Sequence, residues 1–209
     1  AESSGKEGKG ILPIENEPIL VGQSYPHDRI FVYLKTDGTK AGLVDELNKS
    51  LKTKFNTNKD LVKSIMNYQV FFNTDIIEEL GLDYAAIKQA VVDRLKKDKD
   101  VHYAFDMEKT SIESIPEELK FRAINGYNRE RSGGVQIVLK PGHYDYYSSK
   151  GTTHGAWNPY DIHIPCLFMG WGILHGESAQ PHYMTDIAAT VCAMLHIQAP
   201  NGCIGTPIF

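Results

Sequence analysis

GVQIVLKP, residues 134–141, is the stretch that decides the fold, because it is the clearest strand in the chain. A glycine leads into a run rich in branched apolar residues, which is typical of a buried strand. The proline at position 141 cannot donate to a strand ladder, so the strand is expected to stop there. We therefore predict a strand at this position and interpret the other elements around it.

Four further apolar runs are predicted as strands. Branched and aromatic residues dominate each run, and the first is closed by the turn signal TDGT at residues 36–39. The runs are residues 30–34, 70–72, 101–105 and 165–170.

Four amphipathic helices are predicted between and after these strands. Their apolar residues recur at helical spacing in three cases, and the fourth begins at a proline followed by acids. They span residues 41–53 (Leu43, Leu47, Leu51), residues 83–97 (Ile87, Val91, Leu95), a segment from Pro116 that fades near 125–126, and a segment from Thr185 or Asp186 (Ile187, Val191, Leu195).

Because strands alternate with helices, the predicted fold class is α/β, a mixed sheet flanked by helices. A domain boundary near residues 73–75 or at Gly126 is one interpretation. A single intertwined unit is the other, since neither position has the composition of a linker.

Composition excludes several classes of protein. With 209 residues, 42% of them hydrophobic, the chain is long enough to bury a core. A net charge of -4 gives no basic stripe for a phosphate backbone, so no nucleic-acid partner is expected. The apolar runs fall short of the ~20 residues that span a bilayer, so no membrane span is expected. Residues 1–10 are predicted to be a flexible lead and lack the apolar centre of a signal peptide.

The three cysteines are Cys166, Cys192 and Cys203. They are too few and too unevenly spaced for a disulfide scaffold or a thiolate zinc site. Cys166 and Cys192 lie in apolar runs and are predicted to be buried. Cys203 lies in a glycine-rich turn, where a disulfide with either of the others stays open.

The strongest candidate for chemistry is His154, in the loop GTTHG at residues 151–155. Small flanking residues let the backbone and a ligand approach closely. A catalytic zinc site takes about three protein ligands and one open position, so a single histidine supplies only one of the ligands. The alternative is that His154 is an ordinary polar loop residue. For His163, one residue before the predicted strand, we expect a bond to a carbonyl or to a carboxylate such as Asp161.

Other candidates are weaker. Asp98 and His102 have the spacing that pairs side chains on one helix face, but they fall where a helix is predicted to pass into a strand, so the spacing is interpreted as accidental. RERSG, residues 129–133, either grips an oxyanion through guanidinium groups or is a turn with solvated charges. The chain has no glycine-rich phosphate loop and no Gly-x-Ser-x-Gly turn.

A series of motifs in fixed order resembles a known family. The motifs are NGYNRERSGG (125–134), VLKPG (138–142), GTTHG (151–155), YDIHIP (160–165), GWGI (170–173), TDIAAT (185–190) and PNGCIG (200–205). Together they resemble the C-terminal part of alkaline phosphatase superfamily proteins. The branch most similar is that of type I phosphodiesterases and nucleotide pyrophosphatases, and within it the bacterial zinc phosphomonoesterases.

The resemblance implies an alkaline-phosphatase-like C-terminal part over residues 70–209, preceded by a poorly matched segment, residues 11–69, with a strand and a helix. In that family the histidine of the Thr-His-Gly motif binds one of two zinc ions, which implies the same role for His154. The family's Thr or Ser nucleophile, metal-binding Asp, Asp-x-x-x-His pair and Asp-His pair find no counterpart in this sequence.

The resemblance therefore implies a C-terminal portion of a zinc-dependent phosphoric ester hydrolase that is inactive alone. Its implied partners are the missing N-terminal portion and a phosphate ester substrate. The alternatives are a non-catalytic domain of the same fold for binding or assembly, and a parent protein with phosphodiesterase or nucleotide pyrophosphatase activity. Family members are usually exported, which implies a periplasmic or secreted location.

Overall fold

The structure is a computed structural model that describes residues 2–4, 30–32, 42–145, 151–153, 155–170 and 172–209. It divides into two compact units, Ala1–Ile164 and Pro165–Phe209. The first unit holds, in chain order, β1 (Glu2–Ser4), β2 (Ile30–Val32), α1 (Leu43–Lys54), β3 (Val62–Met66), β4 (Gln69–Phe72), α2 (Thr74–Glu79), α3 (Tyr84–Leu95), β5 (Val101–Asp106), a 3-10 helix (Met107–Ile112), α4 (Glu117–Gly126), β6 (Val135–Leu139), β7 (His143–Asp145), β8 (Gly151–Thr153) and α5 (Pro159–Ile162). The second unit holds α6 (Asp186–Leu195).

The main sheet has the strand order β3-β4-β6-β5, with all neighbours antiparallel. β6 is the strand predicted from GVQIVLKP, and it lies inside the sheet, with Val135 opposite Val70 of β4 and Ile137 opposite Ala104 of β5. Two further strand pairs are antiparallel β1-β8 and parallel β2-β7. The strands predicted near residues 30, 70, 101 and 134 are therefore confirmed where the structure describes them.

The sequence prediction missed β3. Val62 and Ile65 are in the core, three residues apart, because the pairing register shifts between Val62 and Ser64. The turn from β3 into β4 places both Asn67 and Tyr68 at positive φ, 50° and 60°, which is the backbone pattern of a tight hairpin. Such a turn is usually recognised in a sequence by an Asn-Gly pair. Here the pair is Asn-Tyr, so the sequence did not predict the hairpin.

The two predicted helix stripes on α1 and α3 are confirmed as core. Leu47 and Leu51 are 1% and 2% exposed, and Ile87, Val91 and Leu95 are completely buried. These helices pack on one face of the sheet, against β3, β5 and β6. Burying such a side chain stabilises a fold by roughly 1.5–3 kcal/mol, so the two stripes hold this layer.

A smaller core covers the opposite face. Val138 points to this side, because successive residues of a strand face opposite ways and its neighbours Ile137 and Leu139 belong to the first core. It packs with Phe105, Met107 and Leu119, from β5, the 3-10 helix and α4. The sheet therefore has helices on both faces, which confirms the predicted α/β class with a sheet flanked by helices. The main sheet is antiparallel, however, and not mixed as predicted.

A buried amide joins the first helix to the edge strand. The Asn48 side chain donates to the carbonyl oxygen of Val62 at 3.0 Å and accepts from the backbone N–H groups of Leu61 and Val62 at 2.9 and 2.8 Å. These bonds satisfy backbone groups at the start of β3 that the sheet does not reach. Asn48 therefore positions β3 against α1.

Two sequence predictions for the second unit are wrong. Residues 165–170 form no strand, and Leu167 and Met169 are 90% and 98% exposed. An apolar run becomes a strand only when neighbours complete its ladder, and no strand pairs with this run among the residues described. For the same reason Cys166 is exposed rather than buried, and Cys192 is only half-buried. Both, and Cys203, are free thiols.

The last helix begins at Asp186 as predicted, but its predicted apolar face is not buried. Val191 and Leu195 are 42% and 59% exposed, whereas Ala189 and Thr190 are buried. The helix therefore buries small residues, whereas Ile187 of the predicted face is half-buried and its other two residues are exposed.

Neither predicted boundary divides the main sheet. Strands from both sides of residues 73–75 and of Gly126 pair within it. These strands therefore form one unit, as the second interpretation expected. In the part of the chain that the structure describes, no helix combines the length and the apolar character needed to cross a membrane.

Candidate functional site

His154 itself lies outside the described residues, but the chain on both sides of it is described. On one side β8 pairs with β1, Thr152 opposite Ser3. On the other side Gly155 has φ +105°, a backbone conformation that residues with a side chain rarely adopt. A Cβ at Gly155 would meet nothing within 4 Å, so the conformation and not the available space calls for glycine here.

A carboxylate holds the backbone next to His154. The N–H of Gly155 donates to Oδ2 of Asp161 at 2.7 Å. The short helix α5 positions this carboxylate: the carbonyl oxygen of Asn158 accepts the N–H groups of Asp161 and Ile162 at 2.9 and 3.1 Å. The other oxygen, Oδ1 of Asp161, is buried and has no hydrogen-bond partner in the described structure. A buried acceptor without a donor is costly and marks a place where a further donor fits.

The expected bond between His163 and Asp161 is not found. His163 is exposed, and its backbone N–H donates to the carbonyl oxygen of Pro159 at 2.9 Å, closing α5. Asp161 instead reaches back to Gly155. The sequence shows that a carboxylate is present, but the backbone of α5 determines which group forms a hydrogen bond with it.

An aromatic anchor follows two residues after Gly155. Trp157 packs edge-on to Tyr103 of β5, with ring centroids 6.5 Å apart, and joins the smaller core. Beside it lies a cavity of about 80 Å³, lined by Tyr68, Gln136 and Trp157 among others. This volume suits a few water molecules, whereas pockets for small-molecule ligands measure ~300 Å³ or more. The segment is therefore anchored to the sheet.

A partly buried charge cluster lies on α3, β5 and the 3-10 helix, and the sequence prediction missed it. Lys88 is 2% exposed, and its Nζ donates to Oδ1 of Asp106 at 2.9 Å and to Oε2 of Glu108. Burial by itself lowers the pKa of Lys88, but the hydrogen bonds to the two carboxylates outweigh it and leave this pKa raised. The bond from Lys88 lowers the pKa of Glu108.

All three groups of this cluster are paired, so we interpret the cluster as structural. Nothing in the sequence distinguishes Lys88 from the exposed lysines nearby. Lysine is almost never fully buried unless it is paired, so only the fold could reveal it.

The weaker candidates have structural explanations. Asp98 accepts the N–H of Asp100 in the turn after α3, and His102 lies in β5 with its ring 4.1 Å from that of Tyr103. They do not share a helix face, so the spacing is accidental, as interpreted. Residues 129–133 form a turn in which Arg129 is 87% exposed, which confirms the turn with solvated charges.

Within the described ranges, no three His, Cys, Asp or Glu side chains come together as a metal site. His154 is not among the residues that this statement covers. The geometry therefore defines a well-anchored support on the C-terminal side of His154, made by Gly155, Trp157 and Asp161.

The sequence matches no protein-family model. It is 48% identical over 163 residues to the alkaline phosphatase PafA of Elizabethkingia meningoseptica, covering 78% of this chain and 30% of PafA. It is 51% identical over 145 residues to the alkaline phosphatase PhoV of Synechococcus elongatus, covering 69% of this chain and 26% of PhoV. A calcium-transporting ATPase of Myroides odoratus is 44% identical over 164 residues, covering 78% of this chain and 30% of that protein.

The fold agrees with the sequence relatives. The crystal structure of wild-type alkaline phosphatase PafA superposes with a TM-score of 0.75 at 47% identity, over 79% of this chain and 32% of that one. The resemblance to the alkaline phosphatase superfamily is thus supported by both sequence and fold. The match to PafA, 163 residues long, exceeds the segment 70–209, so the similarity includes residues before Val70. The chain spans less than a third of the length of each of these sequence relatives.

Proposed function

From its relation in sequence and fold to alkaline phosphatases, we propose that this chain is the C-terminal portion of a metal-dependent phosphoric ester hydrolase. The observation that carries the proposal is the 48% identity to PafA over 163 residues together with a TM-score of 0.75. At that identity the two chains share the fold in detail, so a conserved chemical role for the shared segment is the simplest interpretation. In this proposal residues 70–209 belong to the alkaline-phosphatase-like part. Of the expected flexible lead, residues 2–4 form the strand β1, which pairs with β8.

His154 is the residue that we assign to the metal, with zinc as the ion. The support comes from the donor chemistry and from its surroundings: imidazole nitrogen is a preferred zinc ligand, and the backbone next to His154 is held by Asp161. Zinc, when bound, polarises a phosphoryl oxygen and lowers the pKa of a bound water. The residues of this chain would position the imidazole. The carboxylate of Asp161 and the conformation of Gly155 fix the backbone that follows His154.

The other metal ligands and the Thr or Ser nucleophile belong, in this proposal, to a portion of the parent protein outside this chain. The chain spans about 30% of PafA, which leaves ample length for them. The isolated chain should therefore not hydrolyse phosphate esters. Export of the parent to the periplasm or the medium is part of the same proposal and follows from the family resemblance.

Two alternatives concern the parent's substrate. The family resemblance also covers phosphodiesterases and nucleotide pyrophosphatases, and one relative is named a calcium-transporting ATPase. In each case the net reaction is hydrolysis of a phosphorus–oxygen bond, so His154 would keep its role and only the leaving group would differ. A non-catalytic binding or assembly domain is the alternative of another class, and it predicts a parent without a nucleophile.

The experiment compares the longer parent protein with its His154→Ala variant for zinc content by mass spectrometry and for hydrolysis of p-nitrophenyl phosphate. We expect the variant to lose metal affinity and turnover by at least ~10-fold, the scale seen even for residues that only support a metal ligand. His175→Ala, at an exposed histidine of the second unit, is the matched control and should change neither. Unchanged zinc content in His154→Ala would remove the site assignment.

A further inference from the structure

A basic surface lies at one edge of the first unit. Residues 49–63 carry five lysines and one aspartate, a local charge of +4, whereas the whole chain has a net charge of -4. Subtracting +4 from -4 leaves -8 on the rest of the chain. The exposed members are Lys49, Lys54, Lys59 and Lys63, which we call the lysine edge. The charge of this protein is therefore strongly uneven, although its net charge is small.

The fold holds these lysines side by side. The Asn48 side chain bonds the backbone of Leu61 and Val62 at 2.8 to 3.0 Å, so the second half of α1 lies along the start of β3. Lys52 reaches Asp60 at 2.8 Å, which neutralises the only acid of the stretch. Within the part of the chain that the structure describes, no ion pair includes a member of the lysine edge. Its charges are therefore available to a partner.

The needs of the fold account for only part of this charge. Lysine on an edge strand hinders pairing with other molecules, which explains Lys63 on β3. Lys54 lies in the last turn of α1, where a cation complements the helix dipole. Neither reason applies to Lys49 or Lys59. Like charges that are held close together repel one another, so a partner of opposite charge is favoured at this edge.

The number and the spread of the lysines indicate the kind of partner. Lysine is a point charge on a flexible stem, so it suits phosphate groups that have no fixed arrangement. Clusters of about four to eight basic residues are typical of binding to anionic lipid surfaces. Proteins that bind DNA contact more phosphates, about 6–10. We propose that the lysine edge is a docking surface for a membrane rich in anionic phospholipids.

This inference goes beyond the proposed function and needs neither zinc nor turnover. Near an anionic membrane each basic residue contributes about fivefold in affinity. The attraction is electrostatic and is therefore screened by salt, because the Debye length falls from ~30 Å at 0.01 M to ~3 Å at 1 M. Binding should accordingly depend on lipid charge and on ionic strength.

The test is co-sedimentation of this chain with lipid vesicles. Vesicles of phosphatidylglycerol and phosphatidylcholine in equal parts are compared with vesicles of phosphatidylcholine alone, at ~0.01 M and ~1 M salt. We expect binding to the anionic vesicles only, and only at low salt. No binding to them at low salt would overturn the proposal. Binding that persists at high salt would also overturn it, because apolar contacts would then hold the chain.

Substitutions locate the surface. Lys54→Gln combined with Lys59→Gln removes two charges of the lysine edge and should weaken binding by roughly 25-fold. The matched control is Lys96→Gln combined with Lys97→Gln, the same change of charge at exposed lysines after α3. It should bind as the unmodified chain does. An equal loss in both variants would mean that net charge and not the lysine edge determines binding, which contradicts the proposal.

Competition distinguishes the possible sources of phosphate. Inorganic phosphate or a short single-stranded RNA is added at the phosphate concentration of the anionic lipid. The chain should stay on the vesicles in both cases. Release by inorganic phosphate would indicate a site for a single anion, and release by RNA would indicate a nucleic-acid surface. Either result would replace the membrane as the partner.

Discussion

The backbone N–H of Gly155 donates a 2.7 Å hydrogen bond to Oδ2 of Asp161, six residues further along the chain. The bond closes a loop around Trp157, whose ring is held by Tyr103 of the sheet. The residue directly before this anchored loop is His154. The backbone on one side of the candidate ligand is therefore positioned by a carboxylate and an aromatic ring that sequence reasoning did not connect with it.

Asp161→Ala should weaken metal binding by the proposed parent. Removing the carboxylate frees the N–H of Gly155 and lets the loop after His154 move. Residues that orient a metal ligand typically contribute ~10–100-fold in affinity, so we expect a loss of about 10-fold. Competition with a zinc chelator measures it. Asp161→Asn keeps one acceptor oxygen and should lose less.

The control for this prediction is Glu130→Ala, at an exposed acid in the turn that follows α4. It should leave zinc affinity unchanged. If Asp161→Ala binds zinc as tightly as wild type while His154→Ala does not, the Gly155–Asp161 bond has no positioning role.

Lys88→Met should destabilise the first unit. The substitution leaves the buried carboxylate of Asp106, 4% exposed, without its cation. Removing one partner of a buried pair costs about 3–5 kcal/mol, and we expect the lower end because the side chain of Glu108 is 43% exposed. Urea unfolding at neutral pH measures the change. Lys49→Met, on the exposed side of α1, should change the free energy of unfolding by less than about 0.5 kcal/mol.

Gly205→Ala should loosen the end of the chain from α6. An added Cβ would overlap the carbonyl oxygen of Thr185, so the backbone must separate there. The N–H of Thr206, which donates to Oδ1 of Asp186 at 3.0 Å, would move with it. We expect a loss of about 1–3 kcal/mol in local stability, the range of overpacked sites.

Hydrogen exchange of the α6 amides measures this loss. Gly176→Ala is the matched control in the same unit, because nothing lies within 4 Å of an added Cβ there and its φ is not in the left-handed region. Equal protection in the two variants would show that the close approach at Gly205 can relax without cost.

The second unit should lose stability in acid through Asp186. The N–H groups of Tyr183 and Thr206 bond its carboxylate and lower its pKa below the usual value. Because the folded pKa lies below the unfolded value of ~3.9, the stabilisation is complete above about pH 5 and is lost as the pH falls through 3.9 toward the folded pKa.

The measurement is the pH dependence of α6 amide protection between pH 3 and 7 for wild type and Asp186→Asn. The variant should be less stable at neutral pH and show a flatter profile below pH 5. Glu177→Gln, at an exposed acid, should keep the wild-type profile. A parallel pair of profiles for wild type and Asp186→Asn would contradict the assignment.

Local pattern alone was enough for the elements whose burial is one-sided and regular. The spacing of Leu, Ile and Val predicts which residues of α1, α3 and β6 are buried. All three elements are found as predicted. The hairpin β3–β4 was missed because its turn uses Asn67 and Tyr68 at positive φ and its outer strand is half polar. The candidate site was predicted as a single residue, His154. Asp161 was expected as a partner of His163, and the structure shows it bonded to Gly155 instead.

The sequence by itself determined the α/β class, the position of the central strand and the resemblance to alkaline phosphatases, because periodicity and ordered motifs are properties of neighbouring residues. Only the tertiary structure decided that Lys88 is buried in an ion pair, that Asp161 bonds Gly155, and that residues 165–170 pair with none of the described strands. Each of these depends on which distant groups the fold brings within hydrogen-bond distance. A lysine, a carboxylate or an apolar run has the same local sequence whether or not its partner is present.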